Sequence, residues 1–234
     1  MQINVIKALS YNYIWTIEDG KEAMLVDPGE AKPALAYLKE KELQLTTILL
    51  THKHEDHIGG VLALCDAYPE VRIYGPKEIS GFPYECLSDG ASFEVGSHHF
   101  AVRKTAGHTE EHISLLMDGE HLFSGDALFS AGCGRVFTGD YEAAYQGMQV
   151  FKSLPPEVLI YAGHEYTLTN LKFALDQCPN DLAIKDAYLS AQAKQQADIP
   201  TLPSPLATEF HINLFLQAKN VQEFKALRDK RDRY

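Results

Sequence analysis

The chain has 234 residues, of which 45% are hydrophobic and 23% are charged, a composition typical of a soluble globular protein. It contains no run of about 18 apolar residues that could span a membrane. The formal net charge of −11 argues against nucleic acid as a partner, because phosphate binding needs a basic surface. We therefore expect no membrane or nucleic-acid partner, and we also expect a monomer that acts on a small molecule. The four cysteines are scattered and form no CxxC pair, so we expect reduced thiols in a cytoplasm, with a periplasmic enzyme containing two disulfides as the alternative.

The first two-thirds of the chain alternates strand-like and helix-like patterns. The segments INVIKAL, YNYIWTIE and EAMLVD are rich in β-branched and aromatic residues and are broken by turn residues, which predicts three strands. AKPALAYLKEKEL and IGGVLALCDAY have helical spacing, and TTILL between them resembles a short buried strand. Further strands are predicted around Phe93, over 99–104, 112–117 and 121–124, and in VLIYAG, with a helix over 141–154.

The strand patterns stop after His164. The segments 168–175, 181–193 and 221–233 are predicted to be helices, and the Pro-rich IPTLPSPL separates the second from the third. We therefore predict an α/β domain over residues 1–165 and a small all-helical domain over residues 166–234.

The segment THKHEDHIGG, residues 51–60, crowds three histidines and an aspartate into six positions directly after a predicted buried strand. His52, His54 and Asp56 alternate, so their side chains point the same way in an extended segment. His57 follows Asp56 where the chain turns into a helix. Imidazole and carboxylate are the usual ligands of zinc-like ions, so this segment predicts metal binding.

Three further segments each place one potential ligand after a predicted strand. TAGHTEEHI contributes His108, LFSGDAL contributes Asp126 and LIYAGHEY contributes His164, and a glycine precedes each of them. The seven donors are too many for one tetrahedral ion.

A centre with two ions divides the donors sensibly. We assign His52, His54 and His108 to a first cluster and Asp56, His57 and His164 to a second cluster, with Asp126 bridging them. Two such ions can share a hydroxide that acts as the nucleophile of a hydrolysis. In this interpretation Asp56 and Asp126 are the catalytic carboxylates. Zinc is the expected metal, and iron or manganese suits the same ligands.

The same residues resemble a known family. HKHEDH is similar to the HxHxDH signature of the metallo-β-lactamase superfamily, and the later segments match its other ligand positions in order. GDALFSAGCGR, AGHEYTLTNLKFA, IPTLPSPLATE and ALRDKRD resemble segments of glyoxalase II, hydroxyacylglutathione hydrolase, along the whole chain. The resemblance implies an αββα sandwich with the metals between two sheets at one edge, and it makes Asp27 in LVDPG a residue that supports the metal ligands.

The resemblance also implies a substrate. Glyoxalase II hydrolyses S-D-lactoylglutathione to D-lactate and glutathione, the second step of methylglyoxal detoxification. Carried over by position, the substrate contacts are Arg135, Phe137, His164, Tyr166, Arg228 and Arg231. From Lys219 to Tyr234 there are six basic and three acidic residues, so the two arginines near the end lie in a basic segment. Glutathione carries two carboxylates, which arginines suit.

Some positions depart from the family pattern. Phe137 lacks the hydroxyl of the tyrosine found in some relatives, Thr138 stands where an acidic residue is usual, and Leu214 stands where proline is common. None of them is a ligand, so these departures concern substrate affinity.

Two other functions compete with thioester hydrolysis. A glutathione persulfide dioxygenase on the same fold resembles this chain but uses one iron bound by two histidines and an aspartate, and a non-catalytic scaffold would have lost ligands. The full set of seven donors favours the hydrolase. Cys133 is not needed as a nucleophile when metal ions activate water. His98, His99 and His121 lie in polar, hairpin-like segments and are predicted to be at the surface.

Overall fold

Twelve strands form two six-stranded sheets in the computed structural model, which describes residues 1–234. In the first sheet the strands lie side by side in chain order. The first three are antiparallel neighbours and the last four are parallel neighbours. They are β1 (Gln2–Ala8), β2 (Asn12–Asp19), β3 (Glu22–Val26), β4 (Gln44–Leu49), β5 (Arg72–Pro76) and β6 (Glu85–Leu87).

Helices connect the first three of the four parallel strands of this sheet. Helix α1 (Ala31–Glu40) follows β3, and α2 (Glu55–Ile58) and α3 (Val61–Ala67) follow β4. Alternating side chains of the sheet pack with these helices in a cluster that includes Leu25, Leu38 and Leu64, so the helices cover its outer face.

The second sheet also runs in chain order. It comprises β7 (Ser92–Val95), β8 (His98–Lys104), β9 (Ile113–Met117), β10 (His121–Gly125), β11 (Leu159–Ala162) and β12 (Ser204–Pro205). All neighbours are antiparallel except β10 and β11, which are parallel and are connected through α4 (Tyr141–Lys152).

The largest hydrophobic cluster lies between the two sheets. It joins Trp15 and Ile17 of β2 with Phe100 of β8 and Phe123 of β10, and it extends to Phe151 of α4. Because each strand turns alternate side chains to opposite faces, one face of each sheet supplies this shared core. The sandwich fold predicted from the sequence is confirmed.

The C-terminal segment is mostly helical. It contains α5 (Thr167–Gln177), α6 (Leu182–Gln196), α7 (Leu206–Ile212), α8 (Leu214–Gln217) and α9 (Val221–Arg231). Asp181 and Asn220 cap the starts of α6 and α9 by accepting from the backbone N–H groups of Ile184 and Glu223. Helices α8 and α9 pack on α4, so this segment is anchored against the second sheet's crossover helix.

The structure corrects several sequence predictions. The C-terminal segment is not all-helical, because Ser204–Pro205 in the Pro-rich stretch pairs with Leu159 and Ile160 as β12. The strands β5 and β6 and the helices α7 and α8 were not predicted, since these elements are short and carry little periodicity. His98 is buried, not at the surface, because Asp118 pairs with its Nδ1. No helix is both long enough and apolar enough to cross a bilayer.

Candidate metal centre

The seven predicted ligands meet at one edge of the sandwich, where several strands end. Residues 51–57 follow the carboxyl end of β4, Asp126 follows β10 and His164 follows β11. His108 lies in the loop between β8 and β9. The strands β10 and β11 are parallel neighbours, so their carboxyl ends lie at the same edge of the second sheet, which explains why Asp126 and His164 meet there.

The first cluster consists of three imidazoles. His54 Nδ1 lies 3.1 Å from His52 Nε2 and 2.9 Å from His108 Nε2, so three ring nitrogens converge on one point. Burial lowers the pKa of both His52 and His108 below the ordinary histidine value. Both rings are therefore neutral at pH 7, the form in which imidazole binds a metal.

The second cluster lies beside the first. His57 Nε2 is 3.2 Å from His164 Nε2, and Asp56 Oδ2 is 3.5 Å from His164 Nε2 and 3.8 Å from His57 Nε2. His57 and His164 are buried, whereas the Asp56 side chain is 43% exposed. The three donor atoms are close enough together to hold one ion.

Asp126 lies between the two clusters. Its Oδ2 is 3.3 Å from His108 Nε2 in the first cluster and 3.2 Å from His164 Nε2 in the second, and its Oδ1 is 3.3 Å from His57 Nε2. Burial alone would raise the pKa of this carboxyl, but His57 and His164 outweigh it and hold the pKa well below its usual range. Asp126 is therefore an ionised bridge between the clusters.

Hydrogen bonds from the far side of the rings orient two of the histidines. His57 Nδ1 lies 3.0 Å from Asp27 Oδ2, and His108 Nδ1 lies 2.8 Å from the carbonyl oxygen of Arg135. Both partners are acceptors, so each Nδ1 carries a proton and, in the neutral ring, Nε2 presents a lone pair. Such partners set the orientation and basicity of metal-binding imidazoles.

This arrangement fits bound cations. In their neutral forms, His57 and His108 turn Nε2 lone pairs to the ionised carboxylate of Asp126, so acceptors oppose acceptors unless a proton or a metal ion lies between them. The buried Asp126 Oδ1 has no hydrogen-bond partner. Burial disfavours a proton on His57, but Asp126 and Asp27 outweigh it and raise its pKa, which shows how strongly this position favours positive charge. A divalent ion in each cluster meets that requirement.

His112 and two glycines complete the frame of the site. His112 Nε2 accepts from the backbone N–H of Asp126, and its Nδ1 lies 3.0 Å from Thr105 Oγ1, so this buried ring supports the bridge and is not a ligand. A Cβ on Gly163 would lie 2.6 Å from His57 Cε1 and 2.7 Å from Asp126 Oδ1. Gly125 has a positive φ of 51°. A Cβ there would lie 2.4 Å from Thr51 Oγ1 and 2.8 Å from His112 Nε2. A side chain at Gly163 would therefore displace a ligand, and one at Gly125 would displace residues that support the ligands.

The predicted substrate residues and five of the seven predicted ligands line one cavity of about 560 Å³; the five are His54, Asp56, His108, Asp126 and His164. His52 and His57 are buried and do not line it. Phe137 packs against His54 and His108, with ring centroids 5.7 and 5.3 Å apart, and is 62% exposed. Tyr166 stacks on His164 with the ring planes 3° apart. Burial raises the pKa of Tyr166, so its hydroxyl is a hydrogen-bond donor at neutral pH.

Three arginines line the same cavity but differ in their surroundings. Arg228 is buried, donates to the carbonyl oxygen of Cys133 at 2.7 Å and pairs with Asp232. Arg135 is exposed and also reaches Asp232, at 3.3 Å. Arg231 is half-buried and donates to Asn170 Oδ1. The structure thus brings all the predicted substrate residues to the ligand clusters, with Arg228 the most firmly fixed.

Several residues of the site carried no signal in the sequence. Asn12 donates a hydrogen bond to Asp56, and the backbone N–H of Thr51 donates one to Asp27. Asp232 accepts from Arg228, and Asn170 accepts from Arg231. Asn12 begins β2 in a segment that resembles an ordinary strand, so only its position in space relates it to the ligands.

Comparison with known proteins identifies the family. The profile of the Metallo-beta-lactamase superfamily matches residues 9–164, and the profile of the Hydroxyacylglutathione hydrolase C-terminus matches residues 165–234. The chain is 47% identical to a hydroxyacylglutathione hydrolase of Haemophilus ducreyi and 45% identical to one of Glaesserella parasuis, each over 234 residues and the full length of both proteins.

Solved structures share the fold. The crystal structure of ETHE1 from Myxococcus xanthus has a TM-score of 0.74 and 25% identity, covering 98% of this chain and 90% of that chain. TTHA1623, solved in a di-iron-bound form, has a TM-score of 0.60 and 28% identity over 70% of this chain and 92% of that chain. The resemblance noted in the sequence is confirmed: the chain belongs to the hydroxyacylglutathione hydrolase family of the metallo-β-lactamase superfamily.

Proposed function

We propose that the protein hydrolyses 2-hydroxyacyl thioesters of glutathione, with S-D-lactoylglutathione as the substrate and D-lactate and glutathione as the products. The observation that carries this proposal is the shared cavity: five of the seven metal-type donors and three arginines line one space. The other two donors, His52 and His57, are buried and lie 3.1 Å from His54 Nδ1 and 3.2 Å from His164 Nε2 respectively. The full-length similarity to proteins named hydroxyacylglutathione hydrolase supports the same substrate class.

The residues present suit two divalent ions. The first cluster, with His52, His54 and His108, would hold one, and the second cluster, with Asp56, His57 and His164, would hold the other, while Asp126 would serve both. When bound, such ions make a nucleophile from water near neutral pH and polarise the thioester carbonyl. Zinc is the metal we propose, and the donor set also suits iron or manganese.

The two carboxylates of the centre have separate tasks. Asp126 joins the clusters, since its Oδ2 faces a histidine of each. Asp56 faces the second cluster from the solvent side, because its side chain is 43% exposed and Oδ2 points to His57 and His164. We assign both to binding and orienting the groups at the reacting carbon.

The arginines and aromatic residues position the substrate. Arg135, Arg228 and Arg231 offer guanidinium groups to the carboxylates of glutathione. The exposed ring of Phe137 lies against the first cluster and covers the reacting centre on that side. The hydroxyl of Tyr166, stacked beside His164, is placed to donate to a peptide carbonyl of glutathione.

We further propose that residues 1–165 are a catalytic domain and residues 166–234 a substrate-binding domain, since the metal donors precede residue 165 and Tyr166, Arg228 and Arg231 follow it. The protein is proposed to be a cytoplasmic monomer. Its four cysteines are free thiols, which suits a reducing compartment, and its net charge of −11 opposes nucleic-acid binding.

The competing persulfide dioxygenase function requires only two histidines and an aspartate for one iron. The five histidines and two aspartates that converge here favour the hydrolase. Oxygen consumption with glutathione persulfide, without cleavage of lactoylglutathione, would reverse this choice.

The test combines elemental analysis of the purified protein with an assay of lactoylglutathione hydrolysis. We expect about two ions per chain and thioester cleavage, both lost in Asp126→Ala because this change removes the only ligand shared by both clusters. Asp66→Ala, on the exposed side of α3, is the matched control and should retain both. A wild-type protein with two ions that leaves lactoylglutathione intact would refute the proposed substrate, and full activity in Asp126→Ala would refute the ligand assignment.

A further inference from the structure

Asn12 is a buried residue at the first position of β2, and its side-chain amide contacts Asp56 of the second cluster. It is 8% exposed, and its Nδ2 lies 3.1 Å from both the backbone oxygen and the side-chain Oδ2 of Asp56. That Oδ2 is the same oxygen that faces His57 and His164. The amide therefore contacts the ligand atom itself.

The backbone around Asn12 is tied to the segment that carries His164. Asn12 and His164 form an isolated antiparallel bridge. On either side of it, Tyr13 N–H donates to the carbonyl oxygen of Gly163 and Glu165 N–H donates to that of Tyr11, each at 2.8 Å. The backbone of Asn12 is thus fixed beside the backbone of His164, while the side-chain amide of Asn12 donates to Asp56.

Asp56 needs such a partner more than the buried ligands do. It lies in the four-residue helix α2, and its side chain is 43% exposed, so neither packing nor a long helix holds its carboxylate in one rotamer. A hydrogen bond to an ionised oxygen is stronger than one between neutral groups, and the two contacts fix both the backbone and the carboxylate of Asp56. The amide nitrogen is a donor only and does not compete as a ligand.

We propose that Asn12 is a positioning residue that orients Asp56 and so sets the affinity of the second cluster for its ion. The first cluster does not contact Asn12 and keeps its own affinity. The inference rests on the two-ion centre of the proposed function, but not on the identity of the substrate.

The experiment measures metal binding without substrate. Metal-free wild-type, Asn12→Ala and Asn12→Asp proteins are titrated with Zn²⁺ in competition with a chromogenic chelator, and the ions retained after gel filtration are counted. Loss of a supporting hydrogen bond typically weakens metal binding by about 10–100-fold, so we expect that rise in the dissociation constant of one ion and none in the other. Asn12→Asp keeps the size of the side chain but puts a second carboxyl oxygen beside Asp56.

Asn4 provides the matched control. Its amide donates to Glu18 Oε1 at 3.0 Å between β1 and β2, away from the ligands, so Asn4→Asp introduces a similar repulsion without touching the centre. We expect it to bind both ions as the wild type does. Urea unfolding of each metal-free protein establishes that the variants are folded, and either Asn12 variant suffices for the test.

The outcomes separate the two proposals. If the wild type binds two ions and the folded Asn12 variants bind them with unchanged affinities, the role of Asn12 is overturned but the proposed two-ion centre is not. Equal weakening of both ions would also overturn it, because it would indicate a general loss of structure. A wild-type chain that binds one ion only would overturn both this inference and the proposed two-ion centre.

Discussion

Asp27→Asn tests whether a carboxylate behind the metal ligands sets the tautomer of His57. Asp27 is buried and has a positive φ of 51°, a conformation that aspartate tolerates better than most residues. Its Oδ1 accepts from the backbone N–H of Thr51 at 2.8 Å. Its Oδ2 accepts from the Thr51 hydroxyl at 2.7 Å and from His57 Nδ1 at 3.0 Å. One side chain thus accepts three hydrogen bonds.

An asparagine of the same size cannot reproduce this pattern. If its oxygen occupies the place of Oδ1, its amide N–H groups face His57 Nδ1, which must then become an acceptor and move its proton to Nε2. If its oxygen occupies the place of Oδ2, the amide faces the N–H of Thr51 and leaves a buried donor unpaired. Either arrangement replaces a hydrogen bond to a charged group, so we expect the metal-free protein to lose about 1–3 kcal/mol of unfolding free energy.

The first arrangement damages metal binding specifically. A proton on His57 Nε2 occupies the atom that faces Asp126 and His164. We expect the ion of the second cluster to bind about 10–100-fold more weakly, as is typical when the partner of a metal-binding histidine is lost. Thioester hydrolysis should fall with the occupancy of that cluster.

The assays are urea unfolding of the metal-free protein, competitive Zn²⁺ titration and kcat/KM for lactoylglutathione. Asp66→Asn on the exposed side of α3 is the matched control and should behave as wild type. If Asp27→Asn bound both ions with wild-type affinity, the tautomer argument would be wrong. Loss of both ions in equal measure would also count against it.

Three further predictions concern two arginines of the cavity wall, the thiol of Cys133, and Glu209 of α7. Glu209 is buried and accepts from the hydroxyls of Ser130 and Ser204 and from the backbone N–H of Ala131. Arg228→Ala should raise KM and also lower the free energy of unfolding by about 1–3 kcal/mol, because the buried carbonyl of Cys133 loses its donor. Arg231→Ala, at a half-buried position, should raise KM with a smaller loss of unfolding free energy in urea. Equal losses of unfolding free energy in the two variants would contradict this prediction. Cys133→Ala should keep kcat within a few-fold, since burial raises the pKa of the thiol and it remains protonated; a loss above about 100-fold would indicate a covalent step. Burial raises the pKa of the Glu209 carboxyl, so the folded protein binds the carboxyl proton more tightly than the unfolded chain does. The free energy of unfolding therefore falls as the pH rises from about 4.3, the unfolded pKa, through the pKa of the folded state. Glu209→Gln removes the titrating group and with it this fall in stability. The Tm of the variant minus the Tm of the wild type should therefore increase from pH 4.5 to pH 8. A difference that stays constant over this range would refute the raised pKa of Glu209.

The chemistry of the ligands could be predicted because it depends on short-range patterns. His52, His54 and Asp56 alternate in an extended segment, so their common direction follows from the local backbone. His108, Asp126 and His164 each follow a strand and a glycine. The long strands β1, β2, β8 and β9 were predicted near their observed bounds for the same reason, since short runs rich in β-branched, aromatic and other apolar residues between turn residues are a local signal.

The shorter elements could not be predicted because their stability comes from distant partners. β12 has two residues and exists only because Leu159 and Ile160 offer an open edge. The burial of His98 likewise depends on Asp118, twenty residues later, which pairs with its Nδ1. Contacts of this kind leave no periodic pattern in the chain.

The sequence by itself determined which residues are candidate metal ligands and that arginines lie near the end of the chain, because residue type and local spacing fix donor chemistry and charge. Only the tertiary structure decided how those atoms are held. Asp27 and Asn12 reach His57 and Asp56 from other strands, and the carbonyl of Cys133 fixes Arg228 within the core. Hydrogen bonds between segments far apart in the chain require a particular packing of both sheets, and that packing is a property of the whole fold.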